Sequence, residues 1–224
     1  MEKNGEENPE SNPRSNRYGL LFVVSAPSGA GKTTLCKKVI PQISNLRHAV
    51  SYTTRSPRSS EVEGKDYFFT NMTTFQEKID KHEFIEWAKV HGNLYGTSKD
   101  HLIQCEQQGI DLILDIDTQG AATLKKKKEG TYIYILPPSL KTLSQRLVNR
   151  QSDSEEEIAR RLQRSREEIL NYRYYDYVII NEEFEKALGE LKAIIISERI
   201  RMSPINHAWI EETFINLHNK AFSK

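Results

Sequence analysis

Leu20-Leu21-Phe22-Val23-Val24 and the residues directly after it, Ala26-Pro27-Ser28-Gly29-Ala30-Gly31-Lys32-Thr33, decide how this chain folds. An apolar run of strand length enters a glycine-containing turn, which opens into Thr34-Leu35-Cys36-Lys37-Lys38-Val39-Ile40, a helical pattern. Strand, turn and Gly-Lys-Thr at a helix start form the geometry that holds a nucleotide polyphosphate. The glycines let main-chain N–H groups converge on phosphate oxygens, and the helix N-terminus adds partial positive charge. Lys32 supplies a point charge for the β/γ oxygens and the Thr33 hydroxyl suits Mg²⁺. Residues Ala26 to Thr34 are therefore the expected nucleotide-phosphate loop. The pattern asks for glycine at its first position, where this chain has Ala26. Alanine resists φ > 0, so the bend there should use ordinary dihedrals.

Working outward, 224 residues can bury one full core. A net charge of +1 lacks the basic bias of nucleic-acid binders. Cys36 and Cys105 form no Cys-x-x-Cys, so neither a disulfide framework nor a zinc site is indicated and a reduced, cytoplasmic setting fits best. No apolar run reaches membrane-spanning length. Residues 1–17 contain no apolar segment and read as a disordered tail rather than a secretory signal.

Strand-length apolar runs alternate with helical patterns, the mark of a parallel sheet wrapped by helices. After a helix from about 32 to 44, strands are expected at 48–54 and 66–70, a short helix near 74–81, and a hairpin from 84–91 through Gly92-Asn93. The α/β alternation resumes with a helix over 98–108 closed by Gly109, then the strand Ile110–Asp117, which ends in two carboxylates. Thr131–Leu136 is a strand stopped by Pro137-Pro138, with Ser139 capping the next helix. Tyr177–Ile180 is the last clear strand. Phe184, Leu188, Leu191, Ile195 and Ile196 place an amphipathic helix over 183–200, and residues 203–224 read as one more helix.

Ser51-Tyr52-Thr53-Thr54-Arg55-Ser56-Pro57-Arg58, followed by Glu61, Gly64, Asp66 and Tyr67, is more polar than a buried strand pair requires. Two guanidinium forks in a proline-stiffened loop can clamp a phosphate bidentately. The alternative, a solvated basic turn, loses weight because the stretch follows a phosphate loop.

These residues resemble guanylate kinase. S-x-T-T-R-x-x-R-x-x-E-x-x-G-x-D-Y at 51–67, F-I-E-W-A at 84–88, Y-G-T at 95–97, I-L-D-I-D-x-Q-G at 113–120 and R-L-x-x-R at 146–150 follow that family's order from about 18 to 200. The resemblance implies a nucleoside monophosphate kinase fold: a core of 18–50 and 98–200, a GMP-binding insertion at 51–97, a lid at about 150–165, and a C-terminal helical extension over 201–224. It implies Mg²⁺-dependent phosphoryl transfer from ATP to GMP, by a monomer or weak homo-oligomer. Ser51, Arg55, Arg58, Tyr67 and Tyr95 look like its GMP-phosphate ligands, and Glu86 and Thr97 like its guanine readers. Guanine presents N1–H and a 2-amino group as adjacent donors that one ionised carboxylate can accept, while Thr97 can donate to O6. Adenine offers no such pair. Asp115 and Asp117 read either as a metal-side ligand and a substrate contact, or with one capping the following helix. By resemblance Asp115 belongs to the Mg²⁺ shell and Asp117 to the guanine surroundings. Arg146, Arg150 and Arg161 resemble lid arginines that close over ATP, and Asn181 a residue near the adenine pocket. A catalytically inactive phosphopeptide-binding module of the same family is the main alternative. Lys125 to Lys128 read as a solvated helix end, and the tyrosines at 172, 174, 175 and 177 as packing.

Overall fold

The computed structural model describes residues 17–59, 61–90, 92–148, 155–201 and 210–216. The expected tail over 1–17, apart from Arg17, lies outside these, as do Arg150 and the 150–154 part of the expected lid. So does most of the expected last helix; a single π-helical turn spans Glu211–Asn216. Arg17 is not part of a disordered tail, because the buried Asp111 holds its guanidinium.

The strands are β1 (Leu21–Ser25), β2 (Leu46–His48), β3 (Ser51–Thr53), β4 (Tyr67–Phe69), β5 (Phe84–Val90), β6 (Asn93–Ser98), β7 (Asp111–Asp115), β8 (Thr131–Leu136) and β9 (Tyr177–Ile180). The helices are α1 (Lys32–Val39), α2 (Met72–Asp80), α3 (Lys99–Gln107), α4 (Thr118–Lys125), α5 (Leu140–Val148), α6 (Glu155–Ile169) and α7 (Phe184–Arg199).

A five-stranded parallel sheet runs β2-β7-β1-β8-β9. Every residue of β1 is buried, as expected for a central parallel strand covered on both faces. Its side chains alternate. Phe22 and Val24 pack with Leu35 and Val39 of α1 and Leu188, Leu191 and Ile195 of α7. Leu21 and Val23 pack on the other face with Leu102 of α3 and Leu124 of α4. The chain leaves β1 toward β2 on one side and later reaches β8 on the other, so the loop after β1 sits at a topological switch point, where such sheets bind ligands.

A second, four-stranded sheet runs β4-β3-β6-β5, with β3 and β4 parallel and the other pairs antiparallel. Phe75 of α2 packs beneath it against Phe84 and Leu94. The expected strand at 48–54 is in fact two: β2 pairs with β7 in the first sheet, and β3 pairs with β4 and β6 in the second. Ala49 and Val50 are the crossing point, which a run of β-forming residues does not announce. The expected 32–44 helix stops as α1 at Val39 and tightens into a 3₁₀ turn over Ile40–Gln42, where Pro41 stands. Ser139 Oγ accepts from Thr142 N at 3.0 Å at the start of α5. In α7, Leu188, Leu191 and Ile195 are buried, but Ile196 is exposed, one residue beyond the buried stripe.

Lys125 to Lys128 are more than a solvated end. Lys125 donates to Tyr174 O and Asp176, Lys127 to Ile85 O, and Lys128 to both oxygens of Glu106. The Lys127 bond ties the end of α4 to β5, joining the two sheets. A second tie is the ion pair of Lys37 on α1 with Asp66 just before β4. Of the four tyrosines, Tyr175 packs its ring on Tyr134, while Tyr174 is exposed.

Candidate active site

The loop between β1 and α1 is shaped by two glycines with φ of 95°, Gly29 and Gly31, a conformation that side chains rarely adopt. Gly31 is the N-cap of α1, and a Cβ on it would lie 2.5 Å from Asn181 Nδ2. That amide donates to Ala30 O at 2.8 Å, and Asn181 is buried. Asn181, expected beside the adenine, therefore holds the loop itself. Ala26 avoids positive φ, as its Cβ requires.

Lys32 Nζ crosses to Ile116 O at 3.0 Å, just past the end of β7, and Thr33 Oγ1 donates to Asp115 Oδ2 at 2.9 Å. Burial by itself would raise the Asp115 carboxyl. The Lys32 ammonium, the His48 ring 3.7 Å from Oδ1 and the Thr33 hydroxyl outweigh it, and hold the group down to about 2. Asp115 is thus an anion at any physiological pH. His48, at the end of β2, carried no signal in the sequence. Pairing β2 with β7 places it there.

Two residues on, Asp117 is the N-cap of α4, with Oδ1 accepting from Gly120 N at 2.7 Å. Of the two readings open for Asp117, the helix-capping one describes this geometry, and one of its oxygens is already used. Glu86 lies close by. It pairs in register with Thr97 across β5 and β6, with a bulge between Phe84 and Glu86. Thr97 Oγ1 donates to Glu86 Oε1 at 2.5 Å, and Glu86 is 3% exposed. Burial pushes its carboxyl up to about 7; the Thr97 bond opposes the rise and the Asp117 charge adds to it. Thr97 spends its hydroxyl proton on Glu86 here.

The arginine stretch follows β3 of the second sheet. Arg55 grips Glu61 with Nη2 at 2.9 and 3.0 Å from the two carboxylate oxygens, and its Nη1 donates to Ser56 O at 2.7 Å. Its guanidinium stands 5.5 Å from the centroid of the Tyr67 ring, which meets Tyr95 edge-on. Arg58 donates its main-chain N–H to Glu61 Oε2, while its side chain is 74% exposed. Burial raises the Glu61 carboxyl, but Arg55 and the Arg58 N–H outweigh it and keep the group below the usual carboxylate range. Glu61 was visible only as a motif letter, six residues after Arg55; folding makes it the partner that aims Arg55. Ser51 is buried on β3, opposite Tyr67 on β4.

From the far side, Arg161 on α6 reaches the loop, donating from Nη2 to Ser28 Oγ at 2.6 Å. Arg146 on α5 donates to the main-chain oxygen of Asn181 at 3.0 Å. Thr34 is exposed in the first turn of α1. The loop, Lys32, Thr33, Asp115, Asn181, Arg146 and Arg161 thus converge at one end of the parallel sheet. Ser51, Arg55, Tyr67, Tyr95, Glu86 and Thr97 lie on the neighbouring sheet, and burial and the Asp115 charge both raise the Tyr67 phenol.

A Gly-Lys-Thr loop at the switch point of a parallel sheet, with an arginine-bearing segment on a second sheet, defines a phosphate-loop nucleotide-binding α/β protein. The particular family follows from comparison. The guanylate kinase family model matches residues 18–198. A guanylate kinase of Geobacter metallireducens is 55% identical over 83% of this chain and 92% of its own length, and that of Geobacter sulfurreducens 52% identical over 88% and 98%. The crystal structure of guanylate kinase from Anaplasma phagocytophilum superposes with a TM-score of 0.75 at 31% identity, covering 89% of this chain and 97% of that one. The chain belongs to the guanylate kinase family.

Proposed function

We propose that this protein transfers the γ-phosphoryl group of ATP to GMP, giving ADP and GDP, with Mg²⁺ bound beside the phosphate loop. One observation carries the reading: a buried carboxylate, Glu86, held by Thr97 on the sheet beside a Gly-Lys-Thr loop. Residues 51–97 are the acceptor-binding insertion in this reading, and the segment around 150–165 the lid.

Acceptor recognition divides between base and phosphate. An ionised Glu86 accepts from N1–H and the 2-amino group of guanine, whereas adenine would place a lone pair against the charge. A site built on such bonds rejects the wrong base by about 10⁴ or more. Arg55, with Arg58 swung in from solvent, takes the GMP phosphate together with Ser51, Tyr67 and Tyr95. Glu61 holds Arg55 meanwhile, keeping its charge compensated and its fork oriented.

Donor binding falls to the loop amides of residues 26–34 and to Lys32. The Thr33 hydroxyl and the Asp115 carboxylate are hard oxygen donors 2.9 Å apart, a set that fits Mg²⁺, which is commonly held by one or two protein oxygens and substrate phosphates. When bound, that ion neutralises charge on the β and γ oxygens. The nucleophile is a GMP phosphate oxygen. It is largely ionised at neutral pH because the second pKa of a phosphate monoester is about 6, so no general base is required. What the protein supplies is alignment of two polyanions and charge compensation, with Arg146 and Arg161 on the transferring group. Closure over both nucleotides excludes water and suppresses ATP hydrolysis.

No helix among the described residues is long and apolar enough to cross a membrane, and the two cysteines are buried and unpaired with each other. The free thiols fit a reducing, cytoplasmic setting. A coupled ADP-release assay with GMP, dGMP, AMP, UMP and TMP tests the proposal. Rapid turnover with GMP and little with AMP is expected. Turnover with none of them overturns it in favour of a binding module.

A further inference from the structure

Gly120 occupies the third position of α4, where a helix is weakened by glycine relative to alanine and where its φ needs no glycine. A Cβ built there would lie 2.7 Å from Glu86 Oε2, 3.5 Å from Glu86 Cδ and 3.3 Å from Asp117 Oδ1. Burial and a hydrogen bond oppose movement of Glu86 away from an added methyl. The residue is 3% exposed, and its other oxygen is held by Thr97 at 2.5 Å. The Gly120 N–H is committed to Asp117, which fixes the first turn of α4 under the carboxylate. Just past the C-terminal end of α4, Lys127 donates to Ile85 O, a further tie between β5 and the helix that opposes their separation.

We infer that Gly120 is a positioning residue for acceptor-base recognition: its missing side chain is the space that lets Glu86 sit on the start of α4. This rests on the reading of Glu86 as the guanine acceptor. Helix α4 belongs to the framework that carries the phosphate loop, and β5 to the acceptor sheet. The contact therefore fixes the height of the base-reading carboxylate against the framework. A methyl group at 120 displaces Glu86 along the base edge and spoils a two-donor alignment. It leaves the ATP side untouched.

The test compares wild type, G120A, E86D and the double variant E86D/G120A, by steady-state kinetics with GMP, inosine monophosphate and ATP, and by thermal unfolding. Inosine monophosphate lacks only the 2-amino donor. For G120A, KM for GMP should rise about tenfold or more with KM for ATP unchanged, and the preference for GMP over inosine monophosphate should shrink. The shorter aspartate withdraws from the added methyl, so G120A in the E86D background should change KM for GMP by less than about twofold. The same support comes if G120A fails to fold while E86D/G120A unfolds cooperatively. An unchanged KM and preference in G120A overturns the inference, as does an equal penalty in both backgrounds, or failure of both G120A proteins to fold. A wild-type protein that shows no heat of binding with GMP in calorimetry counts instead against the guanine reading itself.

Discussion

Glu86 and Thr97 stand opposite each other on β5 and β6, and the threonine hydroxyl donates to the carboxylate at 2.5 Å in a site closed to water. In the proposed function, Glu86 accepts from the base and Thr97 orients it. With its carboxyl raised to about 7, Glu86 is ionised above that pH and half-protonated near it. A protonated Glu86 cannot accept from both guanine donors. KM for GMP should therefore rise as pH falls from 8 to 6, by up to about tenfold per unit below the group's own value. Glu86→Gln should lose GMP-over-AMP selectivity and flatten the part of the profile that Glu86 causes. The GMP phosphate titrates in the same range, so the wild-type and variant profiles must be compared. Identical profiles and preferences would remove Glu86 from recognition.

Folding itself should respond to Glu86 in the opposite sense. A carboxyl raised by burial binds its proton more tightly folded than unfolded. Its contribution to stability is therefore largest at low pH, and fades between the unfolded value of 4.5 and about 7. Chemical denaturation of wild type and Glu86→Gln across that window should show the difference between them changing in this direction.

Lys32 reaches Ile116 O from the first turn of α1, beside an ionised Asp115. Lys32→Ala should lower kcat by on the order of 10³-fold, since a preorganised charge on the phosphates is lost. The melting temperature should fall as well, because Lys32 is the main charge that keeps the buried Asp115 ionised, while circular dichroism should show the variant still folded. Near-normal kinetics in that variant would dismiss the loop as the ATP site.

Glu61 holds both Arg55 and the Arg58 main chain. Glu61→Ala should raise KM for GMP by about tenfold, as the Arg55 fork loses its orientation, with KM for ATP unchanged. Its depressed carboxyl adds stability that is present above the unfolded value of 4.5 and lost as pH falls through the folded one. Titration of GMP into both proteins by calorimetry decides the first point; equal affinities would reduce Glu61 to a loop brace.

At the opposite end of β7 from the site, Asp111 is fully buried between two arginines. Arg17 contacts it at 2.7 and 2.9 Å and Arg199 at 2.6 Å, and Leu20 N donates to it as well. Asp111→Ala leaves two partly buried guanidinium groups without their counter-ion, which costs about 3–5 kcal/mol. The melting temperature should drop by roughly 10 °C while KM for both nucleotides holds. A drop of no more than about 1 °C would show that the cluster is solvated and idle.

Local chemistry was legible in advance where it is written in consecutive residues. Thr131–Leu136 and Tyr177–Ile180 form strands within those very bounds, because a short β-branched and aromatic run between turn residues has few other options. The same reasoning joined 48–54 into one strand, since nothing in a pleated run says which sheet it enters. Asp111 read as one more strand residue, and the lysines after α4 as solvated, because their partners come from segments far along the chain.

From the amino-acid order alone came the phosphate loop, the parallel α/β plan and the residue types of the acceptor wall. Those features depend on neighbours a few positions apart, on glycine dihedrals, and on the polarity of a helix start. Only the folded chain decided that Glu61 aims Arg55, that Asp117 caps α4, that Asn181 braces the loop, and that Glu86 rests on Gly120 under Thr97. Such pairings follow from strand register and from the way helix packs on sheet. A shift of one residue in either would send each side chain to another face.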